Sequence, residues 1–295
     1  MKLAITGATG LVGRFVAEEG LAAGDTVLSL SRSAPRPGFF SGPVMHEAFD
    51  LHGAPPNLEG VDALVHLAFH HAPGRYRGGE GDDPDGFRRA NLDGSLRLFE
   101  TARRYGVCRV LFLSSRAVYG DYPEGTHLHE GLAPHPDTLY GEIKFLAEQA
   151  LAELHGSGFA AASLRATGIY GPPGPGQQHK WEGLFRDFLY GAAIAPRVAT
   201  EVHGADLARA VRLLLTVSSE ELSGKAFNLS DLVLDRHDLL AQVARLAGSE
   251  WPLPPRADAT QVSEMDCGRL RALGWEPGGE AQLIESLPAM ISAIG

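Results

Sequence analysis

Cysteine is scarce: Cys108 and Cys267 are the only two in 295 residues. Two thiols so far apart in sequence make no disulfide framework, which excludes the small secreted disulfide-stapled class and points to a reducing cytoplasm. Lysine is nearly as rare, with Lys2, Lys144, Lys180 and Lys225 completing the set. No run of basic residues occurs and the formal net charge is −10. Neither nucleic acid nor an anionic membrane surface is therefore an expected partner. Long hydrophobic runs are missing too: none approaches the ~20 residues of a membrane span, and the apolar stretch in MKLAITGATG is too short for a signal-peptide core. There is no internal repeat, low-complexity tract or long linker. What remains is ordinary for a globular chain with a large core, 44% hydrophobic and 21% charged, so an acidic soluble enzyme is the expected class.

The apolar residues gather in short runs: KLAIT (2 to 6), TVLSL (26 to 30), VDALVHLA (61 to 68), CRVLFLSS (108 to 115) and FAAASLRA (159 to 166). These are nearly continuous rather than alternating, as strands covered on both faces are, which means a parallel sheet. Helical patterns at 11 to 23, 86 to 105 and 138 to 156 lie between them. The alternation predicts an α/β, Rossmann-type doubly wound fold. The regularity breaks after residue 170: GPPGPGQQ (171 to 178) is a loop, followed by helices near 180 to 191, 204 to 217, 235 to 247 and 280 to 294 and the strand KAFNLS. Residues 1–168 are accordingly read as a dinucleotide-binding domain and 169–295 mainly as a smaller C-terminal substrate-capping lobe, with elements near 197–217 returning to the first domain.

TGATGLVG, residues 6 to 13, follows the first strand and opens the first helix. In that context glycines let the backbone approach a pyrophosphate while a helix N-terminus offers unpaired N–H groups. Gly7, Gly10 and Gly13 are assigned to the turn, with Leu11 and Val12 as backbone donors. The second strand ends in Ser31, Arg32, Ser33. A carboxylate there would accept the ribose hydroxyls of NAD, whereas an arginine suits the extra phosphate of NADP, so Arg32 favours NADP over NAD. FDL (49 to 51) ends the third strand, placing Asp50 and Leu51 at the adenine, although Asp50 would serve equally as the cap of a turn. Leu67 and Ala68 end the fourth strand with small residues that admit a nicotinamide ribose.

Tyr140 and Lys144 are spaced i, i+4 and share one face of a helix. A free phenol ionises near pH ~10, and a neighbouring ammonium would bring it closer to neutrality. Ser114 and Ser115 close the strand CRVLFLSS at the sheet edge where open parallel sheets hold ligands. Three separate segments thus converge on one crevice.

With TGATGLVG, VHLA, NLDGS (91 to 95), LSSRAVYG, YGEIK, RATGIYGP (165 to 172), VHGADLARAV (202 to 211), FNLSD and LGWEP in this order, the chain resembles the extended short-chain dehydrogenases/reductases, the NAD-dependent epimerase/dehydratase group. The resemblance implies a Ser115, Tyr140, Lys144 triad, the serine standing 25 residues before the tyrosine. It implies that Tyr140 exchanges a proton with the substrate, that Lys144 holds the nicotinamide ribose and keeps the tyrosine acidic, and that Ser115 bonds the reacting oxygen. Asn91 falls where the family organises the site, which makes it a supporting candidate for substrate binding. The resemblance further implies a homodimer built from helices 86 to 105 and 138 to 156, the first offering Leu92, Leu96 and Phe99.

One departure bears on the substrate. Nucleotide-sugar members keep an asparagine shortly before YGP to hold a diphosphate, and this chain has Gly168. That favours free sugar acids, for which Arg116 and His179 are candidate substrate contacts, Lys180, Arg186 and Arg197 being further cations in the lobe. His70, His71, His127, His129 and His135 show no metal-ligand spacing, so no metal is expected. The leading reading is an NAD(P)-dependent oxidoreductase on a sugar-derived or other hydroxylated small molecule. A nucleotide-sugar epimerase with tightly bound NAD and a non-catalytic dinucleotide sensor are the alternatives.

Overall fold

The protein is described from a computed structural model covering all residues except 72–78, 155, 157 and 295. The first half runs β1 (Lys2–Thr6), α1 (Leu11–Ala22), β2 (Thr26–Ser31), β3 (Met45–Ala48), β4 (Ala63–His66), α2 (Pro84–Arg88), α3 (Gly94–Arg104) and β5 (Arg109–Ser115). It continues through α4 (Leu139–Leu154), β6 (Ala160–Ala166), β7 (Gly168–Tyr170), α5 (Glu182–Leu189), β8 (Val198–His203) and α6 (Gly204–Leu214). The remainder is α7 (Ser219–Leu222), β9 (Lys225–Leu229), β10 (Leu232–Asp235), α8 (Arg236–Ala247), α9 (Gly268–Ala272) and α10 (Gly279–Ser292). No helix among the described residues is long and apolar enough to cross a membrane.

Seven strands form one parallel sheet in the order β3-β2-β1-β4-β5-β6-β9. Its two faces explain the continuous apolar runs. Leu3, Ile5 and Leu111 point to one side, where α1 and α6 cover them with Val16, Leu207 and Val211. Ala4, Val110 and Phe112 point to the other, under Leu98 and Phe99 of α3 and Leu151 of α4. The central strands β1, β4, β5 and β6 are thereby almost wholly dry, the double cover a parallel sheet needs. The chain winds outward from β1 in both directions, so a crevice opens at the carboxyl ends of β1 and β4.

A second sheet, β10-β8-β7, was not expected, its strands being only four, six and three residues long. It carries a separate core in which Tyr170, Trp181 and Phe185 meet Val243 of α8 and Leu287 of α10. The expected helix at 235 to 247 starts one residue late because Asp235 is its cap, accepting from the His237 N–H at 2.8 Å. The span expected as helix 138 to 156 is α4, whose last described helical residue is Leu154; residue 155 lies outside the described set.

The single helix expected over 86 to 105 is interrupted. Between α2 and α3 residues 89–93 form a turn of π-helix, the wide turn that inserts an extra residue and often marks a functional site. Phe99, offered above to a dimer interface, is fully buried against the sheet, whereas Leu92 and Leu96 are only partly covered. The helical periodicity of 86 to 105 cannot report which apolar face turns inward when the helix changes pitch midway.

Candidate active site

The glycine turn is built for close approach. Gly7 has φ 68°, a left-handed conformation that favours glycine, and a β-carbon there would stand 3.2 Å from the Ala68 backbone. A β-carbon at Gly13 would overlap the Gly7 carbonyl. α1 opens on Gly10 with no side-chain cap, which leaves the first N–H groups, those of Leu11, Val12 and Gly13, aimed outward at the positive end of the helix. The uncapped turn fits the pyrophosphate of a dinucleotide.

Beside it, β4 ends in a buried relay that sequence reasoning did not single out. The Leu67 and Ala68 N–H groups both donate to Thr6 Oγ1 at 3.0 Å. The Thr6 hydroxyl must then donate to His66 Nδ1, 2.7 Å away, so the ring proton sits on Nε2 and goes to Ser95 Oγ at 2.9 Å. Ser95 passes its own proton to the Asn91 carbonyl at 2.5 Å. Burial is the main cause that lowers the His66 pKa to about 3, with the Lys144 ammonium adding to it, so the imidazole is neutral as this chain of donors requires. Thr6, His66 and Ser95 all lie within quoted motifs, but only the fold reveals that they touch.

Asn91, the supporting substrate candidate, is turned onto backbone groups instead. Its amide accepts from the His70 N–H at 2.6 Å and donates to the His70 and Phe87 carbonyls at 3.0 Å. Fully buried, it holds the end of β4 to the π-turn and does not face the crevice. Asp50 takes the turn-capping alternative, accepting from His52 N–H at 2.8 Å, just after β3 rather than within it. Leu51 is buried, with its carbonyl receiving Arg97 at 2.8 Å. Arg32 is exposed directly beyond β2.

At the end of β5 the three expected side chains converge. Ser115 neighbours the Tyr140 phenol, and its Oγ accepts from the Ala117 N–H at 3.1 Å. The Tyr140 ring stands edge-on to Phe69, centroids 5.0 Å apart. Lys144 is 3% exposed, and its Nζ donates to the Leu113 carbonyl at 2.6 Å while lying 4.3 Å from the Phe69 ring centre and 5.8 Å from that of Tyr140. Ser114 next door is buried, and its Oγ has no hydrogen-bond partner, an orphan polar atom of the kind a ligand satisfies.

The electrostatics differ from the expectation that Lys144 keeps the phenol acidic. Burial pushes the Tyr140 pKa up and the Ser115 hydrogen bond opposes it. The ammonium is turned onto a carbonyl instead, and burial lowers its own pKa to about 7, against a weaker pull from Glu148. With four lysines in the chain, this is directly measurable. Titration of the lysine side-chain resonances in cofactor-free protein should show one of them changing charge near neutrality and missing from Lys144→Met. All four titrating as free lysines do, near pH ~10.4, would refute the assigned burial.

The two candidate substrate cations, Arg116 and His179, both make contacts within the protein. Arg116 donates to the Ser263 carbonyl at 3.1 Å, tying the end of β5 to a distant loop. His179 is buried in the second core against Phe185, its Nδ1 accepting from the Trp181 N–H at 3.3 Å. Burial lowers its pKa, so it offers an anion no charge. Among the described residues no group of three or more His, Cys, Asp or Glu could hold a metal ion.

A model of the NAD dependent epimerase/dehydratase family matches residues 3–230. The chain belongs to that family. Across nearly its whole length it is similar to UDP-glucose 4-epimerase of Lacticaseibacillus casei, 26% identical over 94% of this chain and 92% of that one. It is 31% identical to a uronate dehydrogenase of Pseudomonas syringae pv. tomato over 50% of this chain and 51% of that protein. The chain spans about half the length of this and several other family relatives it matches. The crystal structure of UDP-glucose 4-epimerase from Thermus thermophilus in complex with NAD superposes with a TM-score of 0.79 at 25% identity, covering 100% of both chains. The relatives are NAD-dependent epimerases and dehydrogenases, and the chain is an enzyme of this family.

Proposed function

We propose that the protein is an oxidoreductase that moves hydride between a nicotinamide and a carbinol or ketone of a sugar-derived or other hydroxylated small molecule, with Ser115, Tyr140 and Lys144 as catalytic residues. The observation that carries this reading is the buried Lys144 ammonium, held on the Leu113 carbonyl two residues before Ser115 and 5.8 Å from the Tyr140 ring centre. The bound nicotinamide would supply the hydride acceptor or donor. Tyr140 would exchange the proton of the reacting hydroxyl, Ser115 would hold that oxygen in line, and Lys144 would swing from Leu113 to the ribose hydroxyls. The turn at Gly7, Gly10, Leu11, Val12 and Gly13 would hold the pyrophosphate, and Leu67 and Ala68 would wall the nicotinamide side. Residues 1–168 with α6 and β9 form the cofactor-binding part, and the second core forms the substrate lobe. A screen of hydroxy acids and sugars monitored at 340 nm tests it; net reduction of the cofactor is the expected result.

The cofactor preference rests on Arg32. Exposed at the tip of β2 with no carboxylate beside it, it suits a 2′-phosphate, and NADP is preferred over NAD. Arg32→Ala should lower the NADP-to-NAD ratio of kcat/KM by roughly tenfold, the loss of one charge-assisted phosphate contact. An unchanged ratio would remove Arg32 from the account.

The likeness to UDP-glucose 4-epimerase over most of the chain favours a second reading, in which the cofactor is reduced and reoxidised within one turnover. Purified protein that retains nicotinamide and interconverts sugar epimers without net change at 340 nm would establish it. A homodimer is proposed through α3 and α4, which pack side by side and leave Leu92 and Leu96 part-covered; light scattering reads it out. The unpaired thiols Cys108 and Cys267 support a reducing cytoplasm.

A further inference from the structure

Gly168 begins β7 two residues after Ala166, the strand neighbour of Ser115. Two residues of chain reach at most roughly 7 Å, so Gly168 lies at the same sheet edge as Ser115. It is also where the resemblance places a diphosphate-holding asparagine. Here the space is already filled, because a β-carbon on residue 168 would overlap the Nζ of Lys180 and Oε2 of Glu201. Glu201 lies directly across from Gly168 in the β7–β8 register and forms an ion pair with Lys180.

The pair is asymmetric. The Glu201 side chain is 7% exposed and that of Lys180 27%, so the carboxylate is the more deeply sunk of the two partners. A purely structural pair would satisfy Glu201 and stop there. Two further cations lie within electrostatic reach, Arg197 of both partners and Arg236 of Arg197. Arg197 thus adds a second cation beside the Lys180–Glu201 pair. The Lys180 ammonium has three N–H donors, of which Glu201 takes one.

We propose that Lys180, oriented by Glu201, binds the carboxylate of a small free hydroxy acid and that the pair fills the space a nucleotide diphosphate would need. This rests on the oxidoreductase reading above and narrows its substrate class. The lysine is the contact; Glu201 is a positioning residue that fixes the ammonium beside the glycine.

Isothermal titration of the NADPH-loaded protein with galacturonate and with UDP-galacturonate tests it. Wild type should bind galacturonate more tightly than UDP-galacturonate. Lys180→Met should weaken galacturonate binding roughly 10- to 100-fold, the scale of one charge-assisted hydrogen bond, with NADPH binding unchanged. Because that variant strands a buried carboxylate, the double variant Lys180→Met/Glu201→Leu, which restores a matched apolar pair, is measured beside it and should bind as poorly. Tighter binding of UDP-galacturonate, binding of neither probe, or wild-type galacturonate affinity in the double variant would each overturn the proposal. Failure of the oxidoreductase reading looks different: galacturonate binds as described, yet no hydroxy acid changes the absorbance at 340 nm.

Discussion

Tyr140→Phe lowers kcat/KM about 10²- to 10⁴-fold, the usual contribution of a positioned acid or base, and leaves dinucleotide binding intact. The replacement keeps the ring, and with it the edge-on contact to Phe69 at 5.0 Å, while removing the hydroxyl proposed to exchange the proton. Cofactor affinity, read by fluorescence of the reduced nicotinamide, therefore stays near wild type while turnover at 340 nm collapses. The direction of the Tyr140 shift adds a pH signature. Burial raises its pKa, so phenolate is scarce at neutral pH and alcohol oxidation, which needs the base, climbs as pH rises. Ketone reduction needs the phenol and is flat through neutrality. Residual oxidation in Tyr140→Phe loses the climb. Wild-type turnover in this variant would remove the tyrosine from the mechanism.

Glu148→Ala destabilises the protein by about 3–5 kcal/mol, the scale of removing one partner from a buried ion pair. Arg165 of β6 donates to both carboxylate oxygens of Glu148 of α4, Nε at 3.1 Å and Nη2 at 2.7 Å, with the side chains 6% and 7% exposed. Its guanidinium carbon also sits 4.9 Å from the Tyr119 ring centre. Without Glu148 that cation is stranded between α4 and the sheet, and Tm should fall by on the order of 10 °C. Replacing both partners, Glu148→Leu with Arg165→Met, should recover most of the loss because no unpaired charge remains. A single variant that melts within about 2 °C of wild type would show that water reaches Arg165. The same pair fixes α4 against β6, so it also carries the register of Tyr140 and Lys144 relative to Ser115.

Much of this fold was readable because its signals are local. Continuous apolar runs reported a sheet covered on both faces, and the five strands they mark are five of the seven in the main sheet. KAFNLS supplied β9, while β3, MHEA, is polar and half exposed and was anticipated only through the FDL that follows it. β7 and β10 are too short to show a period. The π-turn escaped because inserting one residue shifts the helical phase without changing composition, and that shift put Phe99 in the core. The site divides in the same way. Tyr140 and Lys144 stand out by their i, i+4 spacing and Gly7 and Gly13 by their turn, whereas the choice of Ser115 over Ser114 comes only through the family resemblance. Asn91, which enters through its place in the family pattern, spends its amide on the His70 backbone, and His179, read as a cation of the lobe, accepts from the Trp181 N–H inside the second core. Glu201 and the Thr6–His66–Ser95 relay are contacts between residues 21 or more positions apart, for which a single sequence holds no signal.

The most direct test of the catalytic trio is a crystal structure of the protein with NADPH and a hydroxy acid. The account predicts Tyr140 Oη and Ser115 Oγ both within hydrogen-bond reach, roughly 2.6–3.2 Å, of the same substrate oxygen, with Lys144 Nζ moved from the Leu113 carbonyl to the nicotinamide ribose. A dinucleotide seated away from the Gly7–Gly13 turn, or a substrate oxygen that neither hydroxyl reaches, would contradict it.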